Sequence, residues 1–301
     1  MPDRLVCCGL ATLDVTQVVD RLPAPDEKVV ADGLAVTFGG PAANAAAVAV
    51  GLGVRATLVT VLGSGPLADV ARAGLAEAGV DVVDLLPDAP GALPVSTVLV
   101  TRATGERAVV SVNGARVADL PRPDAGALTG AGALLVDGHH PDAALALAAT
   151  ARAAGVPVLL DGGSWKPSTP DLLALVDHAV LSADFTVPGG RAAAGADPDL
   201  VDALLDEVAA LGPSFVARSA GPRPVRVRRS TAGGPVRSYL QPPTVRPGEV
   251  VDTLGAGDVL HGAMAAALAA GDDPLAALTR GVDAATRSVR HPGARGWLTT
   301  R

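Results

Sequence analysis

Aromatic side chains are nearly absent from this 301-residue chain: two Trp, one Tyr and three Phe make up 2% of it, although 49% of the residues are hydrophobic. A core of that composition has to be filled by Ala, Val and Leu in thin, closely spaced layers, which favours tight contacts between helices and sheet. Cysteine is scarce as well. Cys7 and Cys8 stand side by side in an apolar run with no other cysteine to pair with, which speaks against a disulfide framework and for two small buried strand residues in a reduced, cytoplasmic setting. No apolar run approaches the ~20 residues needed to span a bilayer. Leu5–Leu10 is too short for a signal peptide, and Asp14 interrupts the apolar residues after it, so a soluble protein with no membrane partner is expected. The formal charge of −7 excludes a general nucleic-acid binder, since neutralising a phosphate backbone needs a concentrated excess of Lys and Arg. Small molecules are the expected partners. Lysine is limited to Lys28 and Lys166, which singles both out.

Short β-branched runs alternate with Ala-rich segments of helical length. Ala56–Leu62 precedes Leu67–Ala78, Leu134–Asp137 precedes Asp142–Ala154, Val156–Leu160 precedes Pro170–Val176, and Asp199–Leu211 precedes Phe215–Ala217. That order predicts an α/β fold with a central, mostly parallel sheet and helices on both faces. Val29–Phe38 and the hairpin-like pair Val95–Thr101 and Arg107–Val112, joined through Ala103-Thr104-Gly105-Glu106, break the alternation. They predict a small additional β-sheet, drawn from about residues 14–38 and 94–114, within one domain spanning 1–301. Such a flap could cover a site. An exposed sheet edge or face needs cover, which points to a homodimer through this sheet.

The sharpest chemical feature is Val251-Asp252-Thr253-Leu254-Gly255-Ala256-Gly257-Asp258, followed by an Ala/Leu helix to Gly271. A glycine-rich turn entering a helix leaves backbone N–H groups unpaired, and with the helix dipole these form an anion site suited to phosphate. Asp258 could serve simply as the helix N-cap. A carboxylate beside an anion hole can instead take the proton from an attacking hydroxyl while the N–H groups of Gly255, Ala256 and Gly257 stabilise the transferring phosphoryl group. Far upstream, Gly39-Gly40-Pro41 opens an Ala-rich helix to Gly51 in which Asn44 is the only polar side chain up to Val50. The glycines suit a flexible, close-approach turn, and Pro41 suits the first helical position. Asn44 could bond the nearby helix terminus. No Gly-x-x-x-x-Gly-Lys-[Ser/Thr], Gly-x-Gly-x-x-Gly or zinc-ligand spacing competes with this reading.

Asp252 to Asp258, together with Gly39 to Ala46, resembles the two signatures of the ribokinase-like, or PfkB, carbohydrate kinases. The resemblance implies an ATP-dependent kinase acting on a sugar hydroxyl, with Asp258 as general base and Mg²⁺ held mainly by ATP. It implies that Asp14, Gly39, Gly40 and Asn44 hold the acceptor under a lid, with Asn113 also assigned to substrate. Gly105-Glu106-Arg107 is similar to the family's lid hairpin, and Ser219-Ala220-Gly221 to its Thr-x-Gly near the nucleotide phosphates. ATP is expected along Ser182, Asp184, Ser219, Gly221, Arg223, Gly255 and Gly257. Gly293-Ala294-Arg295-Gly296 resembles the loop beside the adenine and monovalent-cation sites, where Asp252 is the expected K⁺ ligand.

The chain departs from the family pattern in three places. Leu181-Ser182-Ala183-Asp184-Phe185 replaces the usual Asn-x-x-Glu in a manner similar to ketohexokinase-like members, leaving Asp184 or Ser182 to meet Mg²⁺. Asp161-Gly162-Gly163-Ser164-Trp165-Lys166 lacks the common Asn and Arg, and Pro224 stands where a Gly is usual. Lys28, together with His139 or His140 at the end of a predicted strand, is expected to meet an anionic group on the acceptor, such as a phosphorylated or sulfonated ketose, as in sulfofructose kinase-like members. A nucleoside kinase of the same fold and a catalytically idle sugar sensor remain as alternatives.

Overall fold

A computed structural model describes residues 4–102, 106–112, 120–189 and 197–299. Gly105 and Asn113 therefore lie outside the described residues, as do parts of the expected lid turn. Two sheets organise the chain. The larger runs in the order β13-β12-β11-β10-β9-β8-β1-β4-β5. It is formed by β1 (Arg4–Cys8), β4 (Arg55–Thr60), β5 (Asp81–Asp84), β8 (Ala133–Val136), β9 (Val158–Gly162), β10 (His178–Leu181), β11 (Phe215–Ala220), β12 (Arg223–Thr231) and β13 (Gly234–Leu240). From β5 to β11 every pairing is parallel, and β12 and β13 close one edge as an antiparallel hairpin.

Alternation along β1 shows how the sheet is covered. Leu5 and Cys7 enter one hydrophobic cluster, with α1 (Pro41–Gly51), α6 (Ala256–Ala269) and α7 (Pro274–Ser288). Val6 and Cys8 enter the opposite cluster, with α3 (Pro141–Ala153), α4 (Thr169–Leu173) and α5 (Pro198–Ala209). A strand buried on both faces in this way is what a parallel α/β sheet demands. Burial pushes both thiols far up, with the Asp137 charge adding to the effect, so the cysteines stay protonated core residues.

The small sheet has the order β3-β2-β6-β7 and is formed by β2 (Thr12–Val19), β3 (Gly33–Gly39), β6 (Val95–Thr101) and β7 (Arg107–Ser111). The expected Val29–Phe38 strand thus starts later, at Gly33. Asp14, Thr16, Thr37 and Ser96 turn from this sheet into the cleft it forms with the main body. The opposite face carries exposed Leu34, Val36 and Val110. Among the described residues no helix is long and apolar enough to cross a membrane.

Small residues set the spacing between α1 and α6. A Cβ added at Gly262 would come within 2.6 Å of the Ala45 carbonyl oxygen and 3.0 Å of the Val48 Cβ. Gly281 of α7 lies as close to the Leu260 carbonyl on the other side of α6. The shortage of aromatics is therefore met by helices packed almost backbone to backbone. Gly262→Val is expected to force α1 and α6 apart and to destabilise the protein by about 1–3 kcal/mol, the range for overpacking a core, which denaturant unfolding measures.

Candidate active site

The parallel strands diverge at the boundary between β1 and β8: the chain runs outward to β4 and β5 on one side and later to β9, β10 and β11 on the other. Ligands favour the carboxyl ends of the strands at such a switch point. Asp137, one residue past β8, ties this junction together. Its Oδ2 accepts from Leu10 N at 2.8 Å and Ala42 N at 3.2 Å, and its Oδ1 from His139 N at 2.9 Å. A side chain at Gly9 would occupy the space of that carboxylate.

Above the junction a cleft of about 840 Å³ opens between the two sheets. Asp14, Gly39, Gly40, Asn44, Asp252, Gly255 and Asp258 all line it. Gly39 and Gly40 have separate reasons to be glycine. A Cβ at Gly39 would overlap the Asp14 carboxylate, which the Thr12 hydroxyl also holds at 2.7 Å. Gly40 has φ 96° and lies against the Leu10 carbonyl, a conformation and an approach that a side chain would prevent.

Asn44 is buried on the first turns of α1, and among the described residues its side chain makes no local backbone bond. Its Nδ2 donates to Asp258 Oδ2 at 2.6 Å, and its Oδ1 accepts from Arg295. The Arg295 guanidinium also donates to the Phe38 carbonyl at 3.0 Å and lies over the Phe38 ring at 3.7 Å. This hydrogen bond assigns the orientation of the Asn44 amide. The resemblance implies that Arg295 belongs to a loop beside the adenine and cation sites; in the structure it lines the cleft and reaches Asn44 and Phe38.

The N-cap of α6 is Gly255, with φ 72°, not Asp258, which occupies the first turn. Among the described residues the N–H groups of Gly255, Gly257 and Asp258 take no partner, whereas the Ala256 N–H turns to Thr253 O at 3.3 Å. The open donors meet the positive end of the helix dipole, an arrangement fitted to phosphate oxygens. Asp258 keeps access to the cleft, but protein encloses its other sides. Burial, followed by the charge of Asp161, pushes its carboxyl up to about 7, against the lowering effects of the Asn44 hydrogen bond and of His261. Its Oδ1 takes no hydrogen bond among the described residues.

The remaining expected nucleotide residues gather along the ends of β10 and β11. Ser182 Oγ donates to Gly163 O at 2.9 Å, Ser219 Oγ to Leu181 O at 3.3 Å, and Gly221 turns the chain with φ 60° into Arg223. Asp184 is exposed. Trp165 packs on Phe185 beside these loops, with ring centroids 5.9 Å apart. Among the described residues no group of three or more His, Cys, Asp or Glu could hold a metal ion. Asp252 fastens two loops, accepting from Leu254 N and Gly293 N, each at 2.8 Å.

Lys28 and His140 do not come together. Lys28 is exposed in the connection between β2 and β3, while His140 is buried as the left-handed N-cap of α3, and neither lines the cleft. Among the described residues, the basic groups that line the cleft are Arg107 and Arg295. Arg107 donates to Thr253 Oγ1 at 2.6 Å and lies 3.7 Å from Asp252, so it links the small sheet to the loop before α6.

Residues 2–301 match the family model described as pfkB family carbohydrate kinase. The chain belongs to this family. The expectation of an ATP-dependent carbohydrate kinase with a ribokinase-like fold is thereby met. An ATP-dependent ribose-1-phosphate kinase of Halopiger xanaduensis is 33% identical over 263 residues, covering 85% of this chain and 81% of its own. A ribokinase of Bacillus subtilis is 27% identical, covering 99% and 97%. A solved structure from Agrobacterium tumefaciens, described as a candidate ribokinase, superimposes with a TM-score of 0.82 at 27% identity, covering 97% and 93%.

The raised Asp258 pKa has a stability consequence whose sign is fixed. A carboxyl whose folded pKa lies above its unfolded value binds more protons when folded, so its contribution is most favourable in acid and is lost as pH rises through about 7. Asp258→Asn, which removes that charge, is expected to raise the melting temperature by a few degrees at pH 8 and by less at pH 5, as thermal unfolding at the two pH values would show.

Proposed function

We propose that the protein transfers the γ-phosphate of ATP to a hydroxyl of ribose or of ribose 1-phosphate. The observation that carries this reading is the Asp258 carboxylate, poised at the floor of a cleft beside three open N–H groups and facing Asp14 and Asn44. The relatives that span most or all of the chain carry ribose names, which supports a pentose rather than a ketohexose acceptor. Arg107 and Arg295 supply the positive charge in the cleft that an anionic acceptor such as a sugar 1-phosphate needs, a part first expected of Lys28.

In this reading Asp14 and Asn44 orient the acceptor, and Asp258 Oδ1 takes the proton of its attacking hydroxyl. A pKa near the working pH suits that exchange. The new oxygen–phosphorus bond forms as the bridge to the β-phosphate breaks, and the N–H groups of Gly255, Gly257 and Asp258 meet charge on the transferred group. Ser182, Ser219, Gly221 and Arg223 would flank the nucleotide, Asp184 would help to hold the Mg²⁺ that neutralises its phosphates, and Asp252 is the ligand proposed for a monovalent cation. Closure of the small sheet as a lid would exclude water and limit ATP hydrolysis.

ADP release from Mg·ATP, measured with ribose, ribose 1-phosphate, fructose, a sulfonated ketose and nucleosides, tests the assignment. Turnover is expected on a ribose compound, with kcat lowered about 10²–10⁴-fold in Asp258→Asn, the span for loss of a general base. Undiminished turnover by that variant, or activity confined to nucleosides, would sink it.

A homodimer through the small sheet is also proposed. Leu34, Val36 and Val110 share its outer face, and Leu34 is 68% and Val110 76% exposed, a patch that water covers poorly. Light scattering should give twice the 29.7 kDa chain mass, and Leu34→Asp together with Val110→Asp should shift it to the monomer.

A further inference from the structure

Lysine occurs only at positions 28 and 166, and Lys166 is the one that reaches the carboxyl ends of the parallel strands, in the turn between β9 and α4. Its own backbone fixes that turn: Lys166 N donates to Thr169 Oγ1 at 2.8 Å, and Lys166 O accepts from Thr169 N at 2.9 Å. The side chain crosses above Gly138, where an added Cβ would meet its Cδ and Nζ at 3.5 Å. The ammonium ends 3.4 Å from Asp137 O and 3.5 Å from both the carbonyl and the hydroxyl oxygen of Ser164.

These contacts hold a positive charge poorly. Each is longer than the ~2.9 Å of a well-formed N–H···O bond, each goes to a neutral oxygen, and among the described residues Lys166 forms no ion pair. A lysine withdrawn from the surface ordinarily gains a paired carboxylate. The carboxylates nearby are engaged elsewhere. Asp137 accepts from the N–H groups of Leu10, Ala42 and His139, and Asp161, which feels the lysine charge, lies 3.3 Å from the His261 ring.

The surroundings connect the two halves of the proposed site. On one side Asp137 fastens the start of α1 at the base of the cleft. On the other, Gly163 O takes the Ser182 hydroxyl at 2.9 Å and Trp165 packs on Phe185, so the lysine turn abuts the loop after β10. We propose that Lys166 is a phosphate-binding residue: its ammonium exchanges these neutral oxygens for phosphoryl oxygens, brought by the triphosphate of ATP or by a phosphorylated acceptor. This rests on the kinase reading above. A path from the Ser182 loop to the open N–H groups of α6 favours the triphosphate as the source. A lysine suits the task as a point charge on a flexible stem.

Calorimetric titration of wild type, Lys166→Met and Lys166→Arg with Mg·ATP, adenosine, ribose and ribose 1-phosphate tests the proposal. Lys166→Met keeps the length of the stem and loses the charge. It should weaken Mg·ATP about 10- to 100-fold, the loss of a hydrogen bond to a charged group, and leave adenosine unchanged, with Lys166→Arg recovering most of the loss. If the acceptor is the source, ribose 1-phosphate loses affinity in Lys166→Met while ribose does not. Equal loss for adenosine and Mg·ATP, or undiminished binding of both phosphorylated ligands, would overturn the proposal and leave Lys166 a packing residue. The wild-type titrations keep the two readings apart: absence of Mg·ATP binding there would sink the kinase reading and this inference with it, whereas wild-type binding that Lys166→Met leaves intact sinks this inference alone.

Discussion

The hydrogen bond from Asn44 to Asp258 joins residues 214 positions apart, and much of the molecule serves to make it possible. The bond needs α1 and α6 to approach within reach of two short side chains. Gly262 permits that approach, and alanines supply the rest of the contact. It needs the amide to point the right way, which Arg295 enforces from a third segment. It also needs the start of α1 fastened over the sheet, which Asp137 achieves by accepting from both Leu10 and Ala42. A buried polar network of this kind is worth having only when each member is satisfied, and here the donors come from widely separated parts of the chain.

The sheet core was legible because its strands and helices obey the two periodicities that backbone geometry imposes. Most predicted bounds fall within a few residues of those observed. The β12–β13 hairpin was not read from the sequence, although Val225 and Val227 alternate with Arg226 and Arg228: the valines are buried in the core, and the arginines pair with Asp202 and Asp206 on the neighbouring helix, contacts with no local spacing. In the site, Asp14, Gly39, Gly40, Asn44 and Asp258 could be found because their motifs are short and local. Arg295 stands in a loop that the resemblance singles out, but its bond to Asn44 could not be read: the partner is remote in sequence, and no spacing rule reveals a contact that only the fold creates.

Glycine has more than one office here. The pair at 39 and 40 looks in sequence like a flexible hinge, but each member answers a steric demand: the first makes room for the Asp14 carboxylate, the second takes a backbone angle closed to other residues. The acceptor role and lid movement proposed above would be compatible, because the close contacts fall at the end of β3 while the exposed strands β3 and β7 lie at the edges of the sheet.

The scarcity of aromatic rings gives the protein a built-in optical vocabulary. With Trp165 packed at a tilt on Phe185 beside the proposed nucleotide loops and Trp297 bonded to Ala294 in the loop that carries Arg295, the two indoles sit in two different parts of the fold. Their emission would report separately on each region, so single Trp→Phe replacements turn the scaffold into a pair of site-resolved fluorescent sensors.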